Sequence, residues 1–238
     1  RGGASGSCSA EAPSGGCSPA GRLTRRNVRG FARRNRGGAG GSAGREVCAA
    51  LTAAGAHVVA VTSRPDALEE IAAAETHALD LGDASAVASF ASELRERRGG
   101  IDGFIHLVGG WRSGASDDDW AWLEHRVLTT LRVPSRELRD DLGASDAGRL
   151  AIVSSASVAA PRWGMANYVT LKAAAETWVA AIANGWRVTQ KPAAAVTFVV
   201  RALDDDGVID ALAESVVALW QLPAEQLNGV VARLDDAE

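Results

Sequence analysis

The sequence predicts an α/β fold: a single domain on a doubly wound parallel sheet with helices packed on both faces. Three observations predict it. From Gly37 onward, short β-rich runs alternate with helical patterns along the whole chain. The runs "HVVAVTS", "RLAIVSS" and "AAAVTFVV" are nearly continuous in apolar residues, as strands buried on both faces must be. A Gly-rich loop, "GGAGGSAG", stands directly before the first helical pattern. With 238 residues, 47% hydrophobic and 23% charged, the chain can bury one sizeable core and reads as a soluble globular protein.

The elements follow in order. The Gly-rich loop runs into an amphipathic helix that Gly55 closes. "HVVAVTS" is a strand, and Pro65 opens a helix to about Ala74. "THALDL" is the next strand. "DASAVASFASELRERRGG" starts on an Asp cap and ends on basic residues and Gly, which suits the helix dipole. "IDGFIHLVGG" is a buried strand. A long helical region covers about 117–142 and is expected to break at Pro134. "RLAIVSS" is a strand, and a loop to Met165 leads into an Ala-rich helix. "AAAVTFVV" is a strand, 208–221 a helix, and "NGVVARL" a final strand.

Charge divides the chain. Residues 1–45 hold nine Arg and one acid, Glu11, whereas the remainder carries 16 basic and 28 acidic residues. Residues 1–36, rich in Gly, Ser and Arg, have too few large apolar side chains for a core. They read as a disordered or non-native leader, with a transit peptide or a nucleic-acid arm as alternatives. Residues 37–238 form the domain. Its acidic body argues against nucleic acid as partner, and no apolar run is long enough for a membrane span. Three Cys, two of them in the leader, suit a reducing cytoplasm better than a disulfide framework. No metal site is expected.

Chemistry concentrates at predicted strand ends, where ligands bind in such sheets. The chain's only Tyr, Tyr168, lies four residues before Lys172, one of two Lys. On a helix this offset puts both on one face, where an ammonium would favour a phenolate and tune the Tyr for proton transfer. A buried Tyr beside a snorkelling Lys gives the same pattern. Ser155 ends a strand 13 residues earlier, Gly109 and Gly110 end another, and Asp80 another.

With Ser155 followed by Tyr168-x-x-x-Lys172, the chain resembles the short-chain dehydrogenase/reductase family over about residues 37–238. The loop Gly38-Ala39-Gly40-Gly41-Ser42-Ala43-Gly44 is similar to that family's glycine motif, and "ALDL" to its acidic motif. The resemblance implies a Rossmann-like fold and an NAD(P)-dependent oxidoreductase acting on a small carbonyl or alcohol. It implies Tyr168 as acid/base, Lys172 lowering the Tyr168 pKa and holding the nicotinamide ribose, and Ser155 polarising the substrate oxygen. Gly38, Gly40, Ser42, Ala43 and Gly44 would hold the pyrophosphate, Asp80 and Leu81 the adenine, and Val108 and Gly109 the floor of the site. Ser63 and Arg64 stand where an acid would select NAD; Arg64 could meet a 2′-phosphate instead, so NADP is expected and NAD is possible. Arg64 also reads as a solvated residue before a turn.

Departures from the family pattern leave a second reading open, a catalytically impaired dinucleotide-binding or scaffold relative. "NVRGFARRNR", with four Arg, is a poor first strand, which leaves that strand in doubt. Residues 112–149 lack the family's catalytic Asn, with Thr129 or Thr130 nearest its place, and "RALDDDG" replaces the Pro-Gly after "TFVV". Trp111 and Trp163 fall in loops flanking the expected site and line a pocket or serve packing. His106 reads as a satisfied core residue. A homo-dimer or homo-tetramer is expected through the long helix and the Tyr helix, where Ala173, Ala174 and Ala175 permit close approach.

Overall fold

The computed structural model describes residues 28–31, 39–203 and 206–234, and within Val28–Phe31 the backbone alone. Among the described residues, seven strands form one parallel sheet: β1 (Val28–Phe31), β2 (Val59–Thr62), β3 (Glu75–Ala78), β4 (Gly103–His106), β5 (Arg149–Ser155), β6 (Ala194–Val200) and β7 (Val231–Arg233). Their order is β3-β2-β1-β4-β5-β6-β7, so the chain reverses direction across the sheet beside β1. The doubly wound fold predicted from the alternation is present.

The first strand, left in doubt by the sequence, is there. Val28 to Phe31 pair in register with Gly103 to His106 of β4, and Phe31 pairs with Val61 of β2. The strand is four residues long and takes one of the four Arg of its stretch, Arg29. Parallel pairing on both sides satisfies the backbone of a central strand whatever its composition. The sheet therefore begins ahead of Gly37. The remainder of the Arg-rich leader, and with it any nucleic-acid arm, lies outside the described residues.

Helices cover both faces. On one face α1 (Ser42–Ala53) and α6 (Asp206–Ala218) pack together over Ala60, Ile105, Ala151 and Val196. On the other, α2 (Ala84–Arg98), α4 (Thr130–Ala144) and α5 (Ala166–Val188) cover Val59, Val61, Phe104, Leu150 and Ile152. Alternate residues of each strand thus enter opposite cores. Within α5, Ala175 is buried in its own core while Ala173 and Ala174 are partly exposed, so Ala175 is not free to meet a partner chain. No described helix is long and apolar enough to cross a membrane.

Two helical expectations need correction. Pro65 starts only a three-residue 3-10 turn, Pro65–Ala67, not a helix to Ala74. The stretch is short for a helix in water, and the sheet claims its end: the N–H groups of Ala74 and Glu75 both reach the Val58 carbonyl as β3 begins. The long helical region is not broken at Pro134, which sits inside α4. The irregularity falls earlier, where α3 (Asp117–Leu123) widens into a π turn, Glu124–Thr129, before α4 begins. A proline ring cannot accept normal α geometry in the turn before it, and the widened turn lies immediately there.

Candidate active site

The C-terminal ends of β4, β5 and β6 open into a cavity of about 570 Å3. Leu107, Val108, Gly109 and Trp111 line it from the β4 side, Val153 to Ser155 from β5, Tyr168 and Lys172 from α5, and Val200 to Leu203 from β6. Three residues predicted from the sequence motifs, Ser155, Tyr168 and Lys172, therefore meet in one place.

Each is held by the element that carries it. Leu150 and Ile152 enter the α5-side core and Ala151 and Val153 the opposite one. Alternation then turns Ser154 toward α5 and leaves Ser155 at the strand end. There Ser155 caps the following 3-10 turn, its Oγ accepting from the Ser157 N–H at 3.2 Å. Tyr168 and Lys172 lie one turn apart on α5, the ammonium 6.0 Å from the Tyr ring centre. Lys172 is 7% exposed, and its Nζ donates to the Val153 carbonyl at 2.8 Å.

Burial sets the electrostatics. It pushes the Lys172 ammonium down to about 8, with Glu176 pulling the other way. That displacement disfavours the charged form by roughly 3 kcal/mol. The Tyr168 phenol is raised above its ordinary value by burial, opposed by a hydrogen bond with Ser155. This differs from the lowered Tyr expected from the resemblance. Lys172 stands too far from the ring, and is too committed to Val153, to outweigh the loss of water around the phenol. Tyr168 is accordingly a neutral phenol at neutral pH. His106 is buried and pushed down to about 3, by burial and by the Lys172 charge. It sits as a neutral ring against Thr130 Oγ at 3.1 Å, a satisfied core residue. Thr130 donates to the Arg126 carbonyl at 2.7 Å, and Thr129 to Glu124 at 2.6 Å. Both hydroxyls nearest the missing Asn are spent inside the helix region.

The glycine loop lies beyond the end of β1. Gly38 is outside the described residues. Gly40 is buried, and Gly41 is the N-cap of α1 with no side chain capping the helix. Ser42, Ala43 and Gly44 form the first turn, which contains no acid, so its free N–H groups favour an anion. At the end of β2, Ser63 Oγ is the one buried side-chain polar atom without a hydrogen-bond partner among the described residues. Beside it the Arg64 guanidinium is paired with Asp66, Nε lying 3.2 Å from Oδ1. Asp80 is exposed and accepts from the Gly82 N–H at 2.9 Å, whereas the Leu81 side chain is fully buried in the core and presents only backbone to a ligand. Gly109 lines the cavity beside Lys172: a Cβ there would meet Lys172 Nζ at 3.8 Å, an ordinary contact.

Three features at the site were not anticipated. His125, on the π turn, packs against Gly82, where a Cβ would meet its ring at 2.3 Å, and its Nε2 is 3.5 Å from Asp80 Oδ1. Trp122 packs against Gly110 between the guanidinium groups of Arg112 and Arg126, 4.1 and 4.4 Å from the ring centre. Glu176, one turn beyond Lys172, accepts a hydrogen bond from Ser154; its offset of four from Lys172 was a readable signal. Trp111 and Trp163 are 59% and 83% exposed, on loops tied together by the Gly114 N–H donating to the Gly164 carbonyl at 2.8 Å. Trp186 and Trp220, by contrast, are buried in the cores.

Comparison with known proteins agrees with the fold. The family model for short chain dehydrogenases matches residues 37–201. The 2,3-dihydro-2,3-dihydroxybenzoate dehydrogenase of Bacillus subtilis (strain 168) is 28% identical over 150 residues, covering 58% of this chain and 58% of that relative. The chain thus matches less than two thirds of the length of that curated relative. Two solved structures share the fold. A short-chain type dehydrogenase/reductase from Mycobacterium ulcerans is similar with a TM-score of 0.72 at 17% identity, over 89% of each chain. A gluconate 5-dehydrogenase from Burkholderia cenocepacia J2315, solved in complex with NADP and tartrate, is similar with a TM-score of 0.71 at 18% identity, over 91% of this chain and 98% of that one. With the family match spanning most of its length and the fold shared throughout, this chain belongs to the short-chain dehydrogenase family.

Proposed function

We propose that this protein is an NADP-dependent oxidoreductase that interconverts a carbonyl compound and its alcohol. The observation that carries the reading is the convergence of Ser155, Tyr168 and Lys172 on one cavity, which Gly109 also lines. The dehydrogenase names of the relatives support it.

The residues present fit a dinucleotide. The uncapped first turn of α1, with Gly40, Ser42, Ala43 and Gly44, would hold the pyrophosphate. The unpartnered Ser63 hydroxyl and Arg64 would take a 2′-phosphate, and Asp80 with the Leu81 backbone would meet the adenine. Val108 and Gly109 would face the nicotinamide, and Lys172 its ribose. The exposed Arg64–Asp66 pair contributes at most about 1 kcal/mol, so a phosphate dianion displaces Asp66 at little cost. NADP is therefore preferred and NAD possible. When bound, the cofactor supplies the hydride or takes it up.

The protein's own groups handle the proton and the oxygen. In the reducing direction Tyr168 Oη gives its proton to the carbonyl oxygen as that oxygen gains charge. The phenol, neutral at this pH, carries the proton to be given, although burial makes it a weaker acid. Ser155 donates a hydrogen bond to the same oxygen, its own acceptor side being occupied by the Ser157 N–H. Lys172 places a positive charge beside the phenolate that results. Trp111 and Leu203 give the substrate an apolar wall. The same reading places the protein in the cytoplasm as a homo-dimer or homo-tetramer through the outer faces of α4 and α5; sedimentation showing only monomer would remove that part.

The test is turnover of reduced nicotinamide with a panel of aldehydes and ketones, for the parent and for Tyr168→Phe. Turnover by the parent that falls 100-fold or more in the variant, roughly the share of one general acid, supports the reading. Equal turnover in both sinks it.

A further inference from the structure

We infer that Trp111 is the residue that selects the substrate, and that the substrate class is aromatic carbonyl compounds and their alcohols, whose ring stacks on the exposed face of the indole. The inference rests on the reading of the cavity as the site of a carbonyl–alcohol oxidoreductase.

The neighbours of Trp111 are fixed while its own side chain is left open. The side chain is 59% exposed, yet it lines the cavity together with Ser155, Tyr168 and Lys172. On one side Gly110 packs against the Trp122 ring, where a Cβ would meet it at 2.5 Å. On the other side the Arg112 guanidinium lies 4.1 Å from the centre of the same ring and donates to Asp119 at 3.2 Å. Farther along the loop, Asn167 Nδ2 donates to the Ser116 carbonyl at 2.8 Å, and Asn167 directly precedes Tyr168 on α5. The loop that carries Trp111 is thus tied to the helix that carries Tyr168. An indole presented in this way loses little freedom when a ligand covers it, and its apolar face gains by leaving water.

The other walls narrow the class. Val108, Val153, Val200 and Leu203 are apolar. Of the polar groups in the lining, Ser154 donates to Glu176, Lys172 donates to the Val153 carbonyl, and Arg201 is engaged too. That leaves Ser155 and Tyr168 for a single substrate oxygen. A polyol would bring hydroxyls without partners, which costs free energy on binding. A saturated chain or ring would meet the apolar walls but would not use the π face. An aromatic ketone or aldehyde, its oxygen at Ser155 and Tyr168, offers a flat ring to Trp111, and offset stacking adds to the area buried.

The test compares acetophenone with cyclohexyl methyl ketone, which keeps the size of the ring and removes its flatness and π electrons. The ratio of their kcat/KM values is measured in the parent and in Trp111→Leu, which keeps apolar bulk without the aromatic face, so that intrinsic reactivity cancels. The aromatic-to-saturated ratio is expected to fall about threefold or more, the size of one lost ring stack. A smaller fall, or a rise, overturns the inference. A second readout needs no turnover. Protein labelled with 5-fluorotryptophan gives signals from seven Trp, and Trp111→Leu assigns the one from Trp111. With oxidised NADP present, millimolar acetophenone is expected to move the Trp111 signal, cyclohexyl methyl ketone to move it less, and the signal of Trp120, exposed but outside the cavity lining, to stay. An unmoved Trp111 signal, equal movement with both ketones, or equal movement at Trp120 overturns the inference, and this readout decides alone if neither ketone is turned over. Undiminished turnover in Tyr168→Phe would remove the redox reading and leave the measured stacking; turnover without aromatic preference would remove only the stacking.

Discussion

The two ends of the proposed site are built differently. At the end proposed to be catalytic, Ser155, Tyr168 and Lys172 sit on the end of β5 and the first turns of α5, half-buried or buried, with partners fixed by strand alternation and helical period. At the end proposed for the nucleotide, Arg64 and Asp80 sit on loops, Arg64 paired with Asp66, and Asp80 accepting from the Gly82 backbone close to His125. The first end is preorganised at a cost, an ammonium held where burial disfavours it. The second is made of exposed groups that must exchange a partner to meet a ligand. Substitutions at the first end should therefore change rate and stability in opposite senses, whereas those at the second should change affinity and cofactor choice.

The largest expected effect is at Lys172. Lys172→Met removes the charge and keeps the bulk, so turnover should fall by about 100-fold or more. Near neutral pH the same variant should unfold at a higher temperature, because an ammonium disfavoured by roughly 3 kcal/mol is gone. The sign follows from linkage. The Lys172 folded-state pKa, about 8, lies below its ordinary 10.5, so between those values the unfolded chain binds more protons. Parent stability should then rise with pH across that window from this group, and the Met variant should lack that rise. Thermal unfolding at several pH values checks both. A variant that loses turnover and stability together would break the contrast between the two ends.

Next in size is Ser155→Ala, expected to cut kcat by roughly 100-fold with little change in nucleotide affinity, as loss of one donor to a developing oxyanion does. Steady-state kinetics with nucleotide binding measured separately checks it; an effect on affinity alone would move Ser155 to the nucleotide end.

Smaller effects belong to the second end. Arg64→Ala should weaken NADPH by about tenfold, the size of one charge-assisted contact that must first be freed, and leave NADH unchanged. Asp66→Asn should do the reverse, tightening NADPH a few-fold by releasing Arg64 from an exposed pair of at most about 1 kcal/mol. Calorimetric titration of both nucleotides reads these directly, and equal effects on NADPH and NADH would remove Arg64 from cofactor choice.

The same division explains what could be read from the sequence. Periodicity placed Tyr168 and Lys172 on one helix face and Ser155 at a strand end, and the structure brings the three together; the catalytic roles proposed for them came from the resemblance to the family. It also carried the parallel sheet with helices on both faces, since alternation of buried runs and helices leaves few topologies. Local composition misled where tertiary pairing decided. Arg-rich "VRGF" is a strand because β2 and β4 bracket it, and the Ala- and Glu-rich stretch after Pro65 is not a helix because β3 takes its end. His125 could not have been placed at all. A π turn shifts the phase of every residue that follows it, so no regular helical wheel brings His125 to Gly82. Arg64 was read as open to phosphate, and the Asp66 side chain two residues on is what it meets.

The most direct measurement of the central claim, that both ends form one dinucleotide site, is thermal unfolding of the full chain alone, with NADPH and with NADH. A ligand bound only by the folded state raises the midpoint, by roughly 5 °C or more at a hundredfold excess over its Kd. A rise with NADPH, larger than with NADH, is the expected result. No rise with either nucleotide would contradict the account, and would leave Tyr168 and Lys172 as a well-packed pair without the chemistry assigned to them.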